Sequence, residues 1–240
     1  MRLLLLSNST NTGMGYLEHA RDTLGAFLGP AVRSVLFIPY AAVRFTYDDY
    51  AARVRAVFEP MGYTLTSIHE VPNPQRAIAE ADALAVGGGN TFQLVHHLYN
   101  VDVMDAIRAR VAAGAPYIGW SAGSNVACPT LCTTNDMPII EPPSFQSLGL
   151  VPFQINPHYL DAHPDGHMGE TREERLQEFL ALNPGTFVVG LREGTLLRLD
   201  GGVLELAGPR PMRVLKQGRP PREYEPGANL QFLLHAPPVS

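Results

Sequence analysis

One serine of this 240-residue chain lies in a sequence context that suits a nucleophile. Residues 119–123 read Gly-Trp-Ser-Ala-Gly and match G-x-S-x-G, with an apolar run before them and a helix-compatible stretch after them. A serine on a tight strand-to-helix turn needs small neighbours, because the backbone there is strained. Such a turn exposes the hydroxyl and directs the first amides of the helix toward a developing oxyanion. We therefore expect Ser121 to be a nucleophile rather than an incidental residue of a glycine-rich junction.

A second glycine-rich loop, at residues 87–89, also follows an apolar run and opens a predicted helix. It has neither the Walker lysine nor the spacing of a dinucleotide-binding fingerprint. Three glycines let the backbone approach a ligand and turn its N–H groups inward. We expect an oxyanion hole rather than a purely structural turn, with one amide from Gly88 or Gly89 and the other from Ala122. We also expect Asn90, the next residue, to bind substrate.

A neutral serine hydroxyl is a poor nucleophile, so a general base must lie within hydrogen-bonding reach. Of the eight histidines, His158 follows an extended stretch that ends at Pro157. Proline disfavours helix in the residue before it, which places His158 in a loop at a strand end. His96 and His97 instead fall within a predicted helix. We therefore expect His158 to be the base.

The imidazole of a serine hydrolase needs an acidic partner that fixes its tautomer and stabilises its cationic form. Glu193 follows the apolar run 187–191, so its carboxylate should lie at the same sheet edge as Ser121 and His158. Asp136 lies in a Thr-Thr-Asn-Asp stretch and fits either the catalytic role or an Asx turn. The residues themselves leave both carboxylates open as the partner.

A metal site is the alternative use of the histidine-rich stretch. Its candidate ligands are His158, Asp161, His163 and His167. Their spacing matches no zinc motif, and the two cysteines, Cys128 and Cys132, do not have zinc-site spacing either. We expect no metal and no cofactor.

Short apolar runs alternate with longer amphipathic ones over most of the chain. The predicted strands include 3–7, 34–39, 63–68, 83–86 and 117–120, and the predicted helices 15–28, 47–61, 74–81 and 91–113, the last with a break near Asn100. This alternation predicts βαβ units in an α/β fold with a doubly wound, mostly parallel sheet. Ligands of such sheets bind beyond the carboxyl ends of the strands, where the candidate residues lie.

The last third of the chain changes character. Two short alternating runs flank Asp-Gly-Gly at 200–202, which predicts a hairpin, and further strands are expected near 212–215 and 231–234. We expect these strands, at about 195–235, to form a C-terminal antiparallel extension of the sheet. Because no repeat and no long linker divides the sequence, residues 1–240 are predicted to form a single domain.

Charge and hydropathy exclude several classes of protein. The net charge is −5 and basic residues form no cluster, which argues against a nucleic-acid partner. The apolar run at 3–6 is too short for a signal peptide or a membrane span. We expect a cytoplasmic protein that does not associate with membranes.

Many of these segments, in this order, resemble the peptidase E family of aspartyl dipeptidases. They are Val-Gly-Gly-Gly-Asn-Thr-Phe-Gln-Leu at 86–94, Tyr-Ile-Gly-Trp-Ser-Ala-Gly at 117–123, Thr-Thr-Asn-Asp-Met-Pro at 133–138, Gln-Ile-Asn-Pro-His at 154–158 and Gly-Glu-Thr-Arg-Glu at 169–173, together with the first ten residues and Ala-Cys-Pro-Thr at 127–130. The resemblance extends to about Gly194.

The resemblance implies a fold similar to class I glutamine amidotransferases, with serine in place of their cysteine. It implies hydrolysis of Asp-Xaa dipeptides through an acyl-enzyme on Ser121, with His158 as base and no metal or cofactor. Either Asp136 or Glu193 would be the third member. The family also suggests a homodimer.

Arg172 matches the family's candidate for binding the aspartate side chain of the substrate. A guanidinium pairs with a carboxylate through two parallel hydrogen bonds, which a lysine would not reproduce. The alternative is that Arg172 pairs with glutamates on the solvated face of a predicted helix at 171–182.

Three other functions fit parts of the pattern. Cyanophycinase, a relative, would use the same serine and histidine on β-aspartyl-arginine links. An esterase of the α/β-hydrolase fold shares G-x-S-x-G, but its histidine normally lies near the chain end, where this sequence has only His235. An amidotransferase-like binding domain that has lost catalysis would not be labelled by a serine-reactive fluorophosphonate.

Overall fold

The computed structural model describes residues 1–161 and 168–235, which form eleven β-strands and seven α-helices. The strands are β1 (Leu3–Leu6), β2 (Ser34–Ile38), β3 (Thr64–Ser67), β4 (Ala83–Val86), β5 (Tyr117–Trp120), β6 (Gln154–Pro157), β7 (Phe187–Leu191), β8 (Leu196–Asp200), β9 (Val203–Ala207), β10 (Met212–Lys216) and β11 (Arg219–Tyr224). The helices are α1 (Arg21–Leu28), α2 (Tyr47–Phe58), α3 (Pro74–Glu80), α4 (Thr91–Asn100), α5 (Met104–Ala112), α6 (Ala122–Asn125) and α7 (Arg172–Leu182). Short 3-10 helices occupy Glu18–Ala20, Glu59–Met61, Ile68–Glu70 and Gln231–His235.

The larger sheet has seven strands in the order β3-β2-β4-β5-β1-β8-β9. The first five are mutually parallel, whereas β8 runs antiparallel to β1 and β9 antiparallel to β8. The central strands β1, β4 and β5 are buried along their whole length, which explains their unbroken apolar sequences. The predicted α/β fold with a doubly wound, mostly parallel sheet is confirmed.

Helices cover both faces of this sheet. Successive side chains of a strand point to opposite faces, so Leu3 and Leu5 belong to one hydrophobic cluster and Leu4 and Leu6 to the other. The first cluster receives residues of α3, α4 and α5, and the second receives residues of α1 and α2. The break predicted near Asn100 separates α4 from α5.

A smaller sheet has the order β11-β10-β7-β6, in which β6 and β7 are parallel and the other pairs antiparallel. Helix α7 packs on it through Leu176 and Leu180, which contact Val188 and Leu215. The sequence did not indicate β11, because it contains Pro220 and Pro221. Proline is tolerated at a sheet edge, where a missing N–H breaks no ladder hydrogen bond.

The C-terminal third departs from the expectation in two ways. Only the hairpin β8–β9 extends the larger sheet, while β10 and β11 belong to the smaller one. The expected strand at 231–234 is instead the 3-10 helix Gln231–His235. There the side chain of Asn229 accepts a hydrogen bond from the amide of Gln231 at 3.0 Å, and the amide of Leu233 donates to the Leu230 carbonyl at 3.0 Å. Such local bonds favour a turn over a strand.

Over residues 1–161 and 168–235, no helix has the length and apolarity needed to cross a membrane.

Candidate active site

Ser121 occupies the strained turn that the motif predicts. It follows β5 with φ 54° and ψ −112°, a region that non-glycine residues rarely adopt. Its amide donates to the Leu6 carbonyl at 3.1 Å, which ties the turn to the neighbouring strand β1. A Cβ on Gly119 would lie 2.3 Å from the Gly123 carbonyl oxygen, and one on Gly123 would lie 2.1 Å from the Val86 carbonyl oxygen. The two glycines are therefore required by close backbone packing.

His158 follows β6 and lies between Ser121 and a carboxylate. Its Nε2 is 3.0 Å from the Oγ of Ser121, and its Nδ1 is 2.7 Å from the Oε1 of Glu193. A proton on Nδ1 satisfies the carboxylate and leaves Nε2 free to accept the serine proton, which assigns the tautomer. The imidazole is about two-fifths exposed and the carboxylate half exposed, so solvent reaches both.

The backbone around His158 is held from strand β1. The His158 amide donates to the hydroxyl of Ser7 at 2.9 Å, and that hydroxyl donates to the Leu191 carbonyl at 2.7 Å. The side chain of Asn8 accepts from the amide of Gly194 at 2.8 Å, beside Glu193. Ser7 and Asn8 were not singled out in the sequence, although Ser7 ends the predicted strand 3–7 and Asn8 follows it at the same sheet edge.

Asp136 has other partners. Its Oδ2 accepts from the amide of Thr91 at 2.7 Å, from the hydroxyl of Thr91 at 2.6 Å and from the hydroxyl of Thr134 at 3.0 Å. The carboxylate thus lies at the N-terminus of α4, where negative charge is favourable. Of the two acidic candidates, Glu193 contacts His158, whereas Asp136 makes no hydrogen bond to it.

The glycine loop lies beside the Ser121 turn because β4 and β5 are neighbours. A Cβ on Gly88 would lie 2.9 Å from the Cβ of Ser121, and one on Gly89, at φ 140°, would lie 2.2 Å from the Ala41 carbonyl oxygen. Within the described part of the chain, the amides of Gly88, Gly89 and Ala122 donate no hydrogen bond. These three amides belong to the two turns that lie side by side at Ser121.

A cavity of about 210 Å³ opens beside Ser121, and its lining includes His158, Glu193, Asp136, Arg172 and Leu160. Asn90, which we expected to bind substrate, is not part of this lining. Its side chain caps α4 by accepting from the amide of Gln93 at 3.0 Å, and its Nδ2 donates to the Met137 carbonyl at 2.9 Å.

Arg172 enters the cavity from the first turn of α7. Within residues 1–161 and 168–235 its side-chain hydrogen bond is a long one, from Nη1 to the Oδ1 of Asn156 at 3.5 Å, and no carboxylate there pairs with it. Burial, followed by the nearby charge of Arg175, lowers the pKa of the Arg172 guanidinium. Arg175 itself lies on the exposed face and is 3.7 Å from Glu170. The expected alternative, ion pairing on a solvated face, therefore describes Arg175 and not Arg172.

Of the four residues considered as alternative metal ligands, the structure describes His158 and Asp161, which have different partners. Asp161 binds Arg192, with 2.7 Å between Oδ2 and Nε, and His163 and His167 lie outside the described residues. Among residues 1–161 and 168–235, Asp48, His69 and Glu70 lie close enough together to hold a metal ion. Glu70 already pairs with Arg55.

The fold and the geometry of the site are those of a serine hydrolase. Residues 3–207 match the model of peptidase family S51. The chain is 54% identical to peptidase E of Nostoc sp. strain PCC 7120, covering 97% of this chain and 96% of that protein. It is 52% identical to peptidase E of Streptomyces coelicolor, covering 98% and 95%. The chain belongs to peptidase family S51.

A solved structure shares the fold at low sequence identity. It is that of a peptidase from an acI-B1 Actinobacterium, with a TM-score of 0.69 and 17% identity over 95% of both chains. Together with the family match, these similarities confirm the resemblance to peptidase E and the predicted enzyme class, a serine-type dipeptidase.

Proposed function

We propose that this peptidase hydrolyses dipeptides with an N-terminal aspartate through an acyl-enzyme on Ser121. The supporting observation is the line of contacts from Ser121 through His158 to Glu193, at 3.0 and 2.7 Å, in a cavity that the partly buried Arg172 also lines. His158 takes the hydroxyl proton as Oγ attacks the scissile carbonyl, and then delivers that proton to the leaving amine. Water deacylates the enzyme by the same route. Glu193 orients the imidazole and stabilises its cationic form.

The charges that line the cavity complement an N-terminal aspartate. The guanidinium of Arg172 offers paired donors to the substrate's side-chain carboxylate. The Oδ2 of Asp136 accepts three hydrogen bonds, while its Oδ1 accepts none within the described ranges. We assign that free oxygen to the substrate's α-ammonium group. The amide of Gly88 or Gly89, with that of Ala122, would hold the oxyanion.

Hydrolysis of Asp-Leu should be measured beside Ala-Leu and β-Asp-Arg, with EDTA present and Ser121→Ala as control. Activity on Asp-Leu alone, lost in the variant and indifferent to EDTA, is the expected result. Cleavage of β-Asp-Arg instead would favour the cyanophycinase-like alternative. Activity that survives in Ser121→Ala would exclude Ser121 as nucleophile, and abolition by EDTA would reopen the metal site.

Substrate selection should depend on Arg172. In Arg172→Ala, kcat/KM for Asp-Leu should fall by about 100-fold or more, because two charge-assisted hydrogen bonds are lost. The preference for Asp-Leu over Asn-Leu should disappear with it, and Arg172→Lys should recover only part of the activity.

Arg175→Ala is the matched control for Arg172, since it removes an arginine from the exposed face of the same helix. It should leave both the rate and the preference unchanged. An Arg172→Ala enzyme that still prefers Asp-Leu over Asn-Leu would contradict the assignment of Arg172 to the substrate's side-chain carboxylate.

We also infer that the enzyme works in the cytoplasm, without nucleic acid, and as a homodimer. The two free cysteines support the first inference, because disulfides form mainly in oxidising compartments. The net charge of −5 without a basic cluster supports the second, and the resemblance to peptidase E supports the third. Light scattering during gel filtration would test the dimer.

A further inference from the structure

Tyr50 is a buried residue of α2 that connects the two loops beside the nucleophile. Its hydroxyl oxygen lies 3.0 Å from the carbonyl oxygen of Gly88 and 3.0 Å from the Nε1 of Trp120. Gly88 belongs to the glycine loop after β4, and Trp120 is the residue directly before Ser121. One hydroxyl group therefore contacts both of the loops proposed to supply oxyanion donors.

The chemistry of the three partners sets the direction of these hydrogen bonds. An indole N–H can only donate and a carbonyl can only accept, so Tyr50 accepts from Trp120 and donates to Gly88. The hydroxyl of Tyr16 lies 3.1 Å from that of Tyr50 and completes the cluster. Burial raises the pKa of Tyr50, so the phenol keeps its proton at neutral pH and the bond to Gly88 persists.

The glycine loop is built around this hydroxyl. A Cβ on Gly87 would lie 2.6 Å from the Tyr50 hydroxyl oxygen, so a side chain at that position would displace the phenol. The ring is wedged in place by aromatic neighbours, with its centroid 4.9 Å from that of Phe37 and 5.1 Å from that of Phe45 in edge-on arrangements.

The contact between Tyr50 and the Gly88 carbonyl fixes the direction in which the Gly89 amide points. The Gly88–Gly89 peptide bond is trans, so the Gly88 carbonyl and the Gly89 N–H lie in one plane and point in opposite directions. A carbonyl directed at Tyr50 turns the Gly89 N–H away from the buried aromatic cluster. That amide donates no hydrogen bond within the described residues, and Gly88 packs directly against Ser121.

We propose that Tyr50 is a positioning residue that orients the Gly88–Gly89 peptide, so that the Gly89 amide donates to the oxyanion formed at Ser121. The inference rests on the proposed acyl transfer at Ser121, and it selects Gly89 over Gly88, a choice that the sequence left open. A donor that acts on the oxyanion stabilises the transition state more than bound substrate. Loss of its alignment should therefore lower kcat and leave KM nearly unchanged.

The test is Tyr50→Phe, which removes only the hydroxyl. Loss of a whole oxyanion donor typically costs about 100- to 1,000-fold in kcat, and misalignment of one donor should cost about 10- to 100-fold on Asp-Leu. Affinity for the aldehyde analogue of aspartate should fall by the same factor, because its hemiacetal with Ser121 places an oxygen in the same hole. Affinity for free aspartate should not change.

Tyr16→Phe is the matched control. It removes a phenol hydroxyl from the same cluster that contacts Tyr50 but not the Gly88 carbonyl, and it should retain wild-type kcat. Gly87→Ala is a second route to the same end, since its added methyl group displaces the Tyr50 hydroxyl without deleting it. Gly87→Ala should lower kcat and leave KM nearly unchanged, as Tyr50→Phe should. It therefore provides the same test if Tyr50→Phe folds poorly.

The outcomes separate this inference from the proposed function. Activity in Ser121→Ala would refute the acyl-enzyme itself. The role of Tyr50 alone would be overturned if Ser121→Ala is inactive but Tyr50→Phe behaves otherwise than expected. Tyr50→Phe would then keep wild-type kcat, lose activity only through KM, or bind the aldehyde with unchanged affinity.

Discussion

Glu193 and Asp136 both reach the cavity beside Ser121, but they are hydrogen-bonded in different ways. Glu193 contacts the Nδ1 of His158 at 2.7 Å, while Asp136 accepts from Thr91 and Thr134 at the start of α4. At the scale of single residues, the first arrangement suits an orienter of the imidazole. The second suits a fixed anion that binds a substrate cation.

Exchange of each carboxylate for its amide should separate these two roles. In Glu193→Gln the amide presents an N–H to Nδ1 and favours the wrong imidazole tautomer, so kcat on Asp-Leu should fall by about 100-fold or more. In Asp136→Asn the loss of charge should raise KM for Asp-Leu, with kcat changed by only a few-fold. Steady-state kinetics of both variants measure the split.

The opposite pattern in those kinetics would reassign the third member. If Asp136→Asn loses kcat while Glu193→Gln keeps it, then Asp136 orients His158 during turnover, although it makes no hydrogen bond to that ring in this structure.

At the scale of elements, Arg192 connects the segments that carry the site. It follows β7 and is bidentate both to Asp161, after β6, and to Glu223 of β11. Arg213 of β10 continues the network to Glu223 and to Glu173 in the first turn of α7. The loops of His158 and Glu193 and the helix of Arg172 are thus tied to one group of charges.

Replacement of Arg192 by methionine should destabilise the protein in a pH-dependent way. Hydrogen bonds from Arg192 hold the pKa values of Asp161 and Glu223 below their usual range. Carboxylates with lowered pKa values stabilise the fold above their unfolded values, about 4, and lose that contribution as the pH falls through the folded values. Since both partners are partly exposed, we expect a loss of about 1–2 kcal/mol at pH 7.

Thermal unfolding of wild type and Arg192→Met at a series of pH values measures this effect. The difference in Tm should be largest near pH 7 and should shrink below about pH 4. Arg76→Met, which removes an exposed pair with Glu80 within α3, should show no such trend. A difference in Tm that stays constant with pH would mean that the arginine acts through packing rather than charge.

At the scale of the whole molecule, the two sheets share a core. The largest hydrophobic cluster contains Leu5 of the larger sheet and Val189 and Val214 of the smaller one. A shared core makes separate unfolding of the sheets costly, which supports the single-domain prediction.

Urea unfolding should therefore give one transition for all probes. Trp120 is the single tryptophan, is fully buried and precedes Ser121, so its fluorescence reports on the core at the active site. Its transition should coincide with that of far-UV circular dichroism and with the loss of activity. A dichroism transition displaced from the fluorescence transition would indicate that the smaller sheet unfolds separately and would contradict the single domain.

The sequence by itself determined the buried strands of the larger sheet and the two glycine-rich turns. Strands buried on both faces must be continuously apolar, so β1, β4 and β5 can be located from their runs of apolar residues alone. Gly119 marks a place where the Gly123 carbonyl oxygen would lie 2.3 Å from an added Cβ, a contact within the same turn that the local sequence reveals. These features depend on a residue and its near neighbours in the chain.

Only the tertiary structure decided which groups meet. Glu193 reaches His158 because β6 and β7 pair with Pro157 opposite Leu191, whereas both acidic candidates fit the local sequence. Tyr50 lies 70 residues from Trp120 in the chain, and no periodicity relates the two. The division of the C-terminal strands between two sheets was decided in the same way. The physical reason is that contacts between distant segments are set by strand order, register and packing, which depend on the whole chain at once.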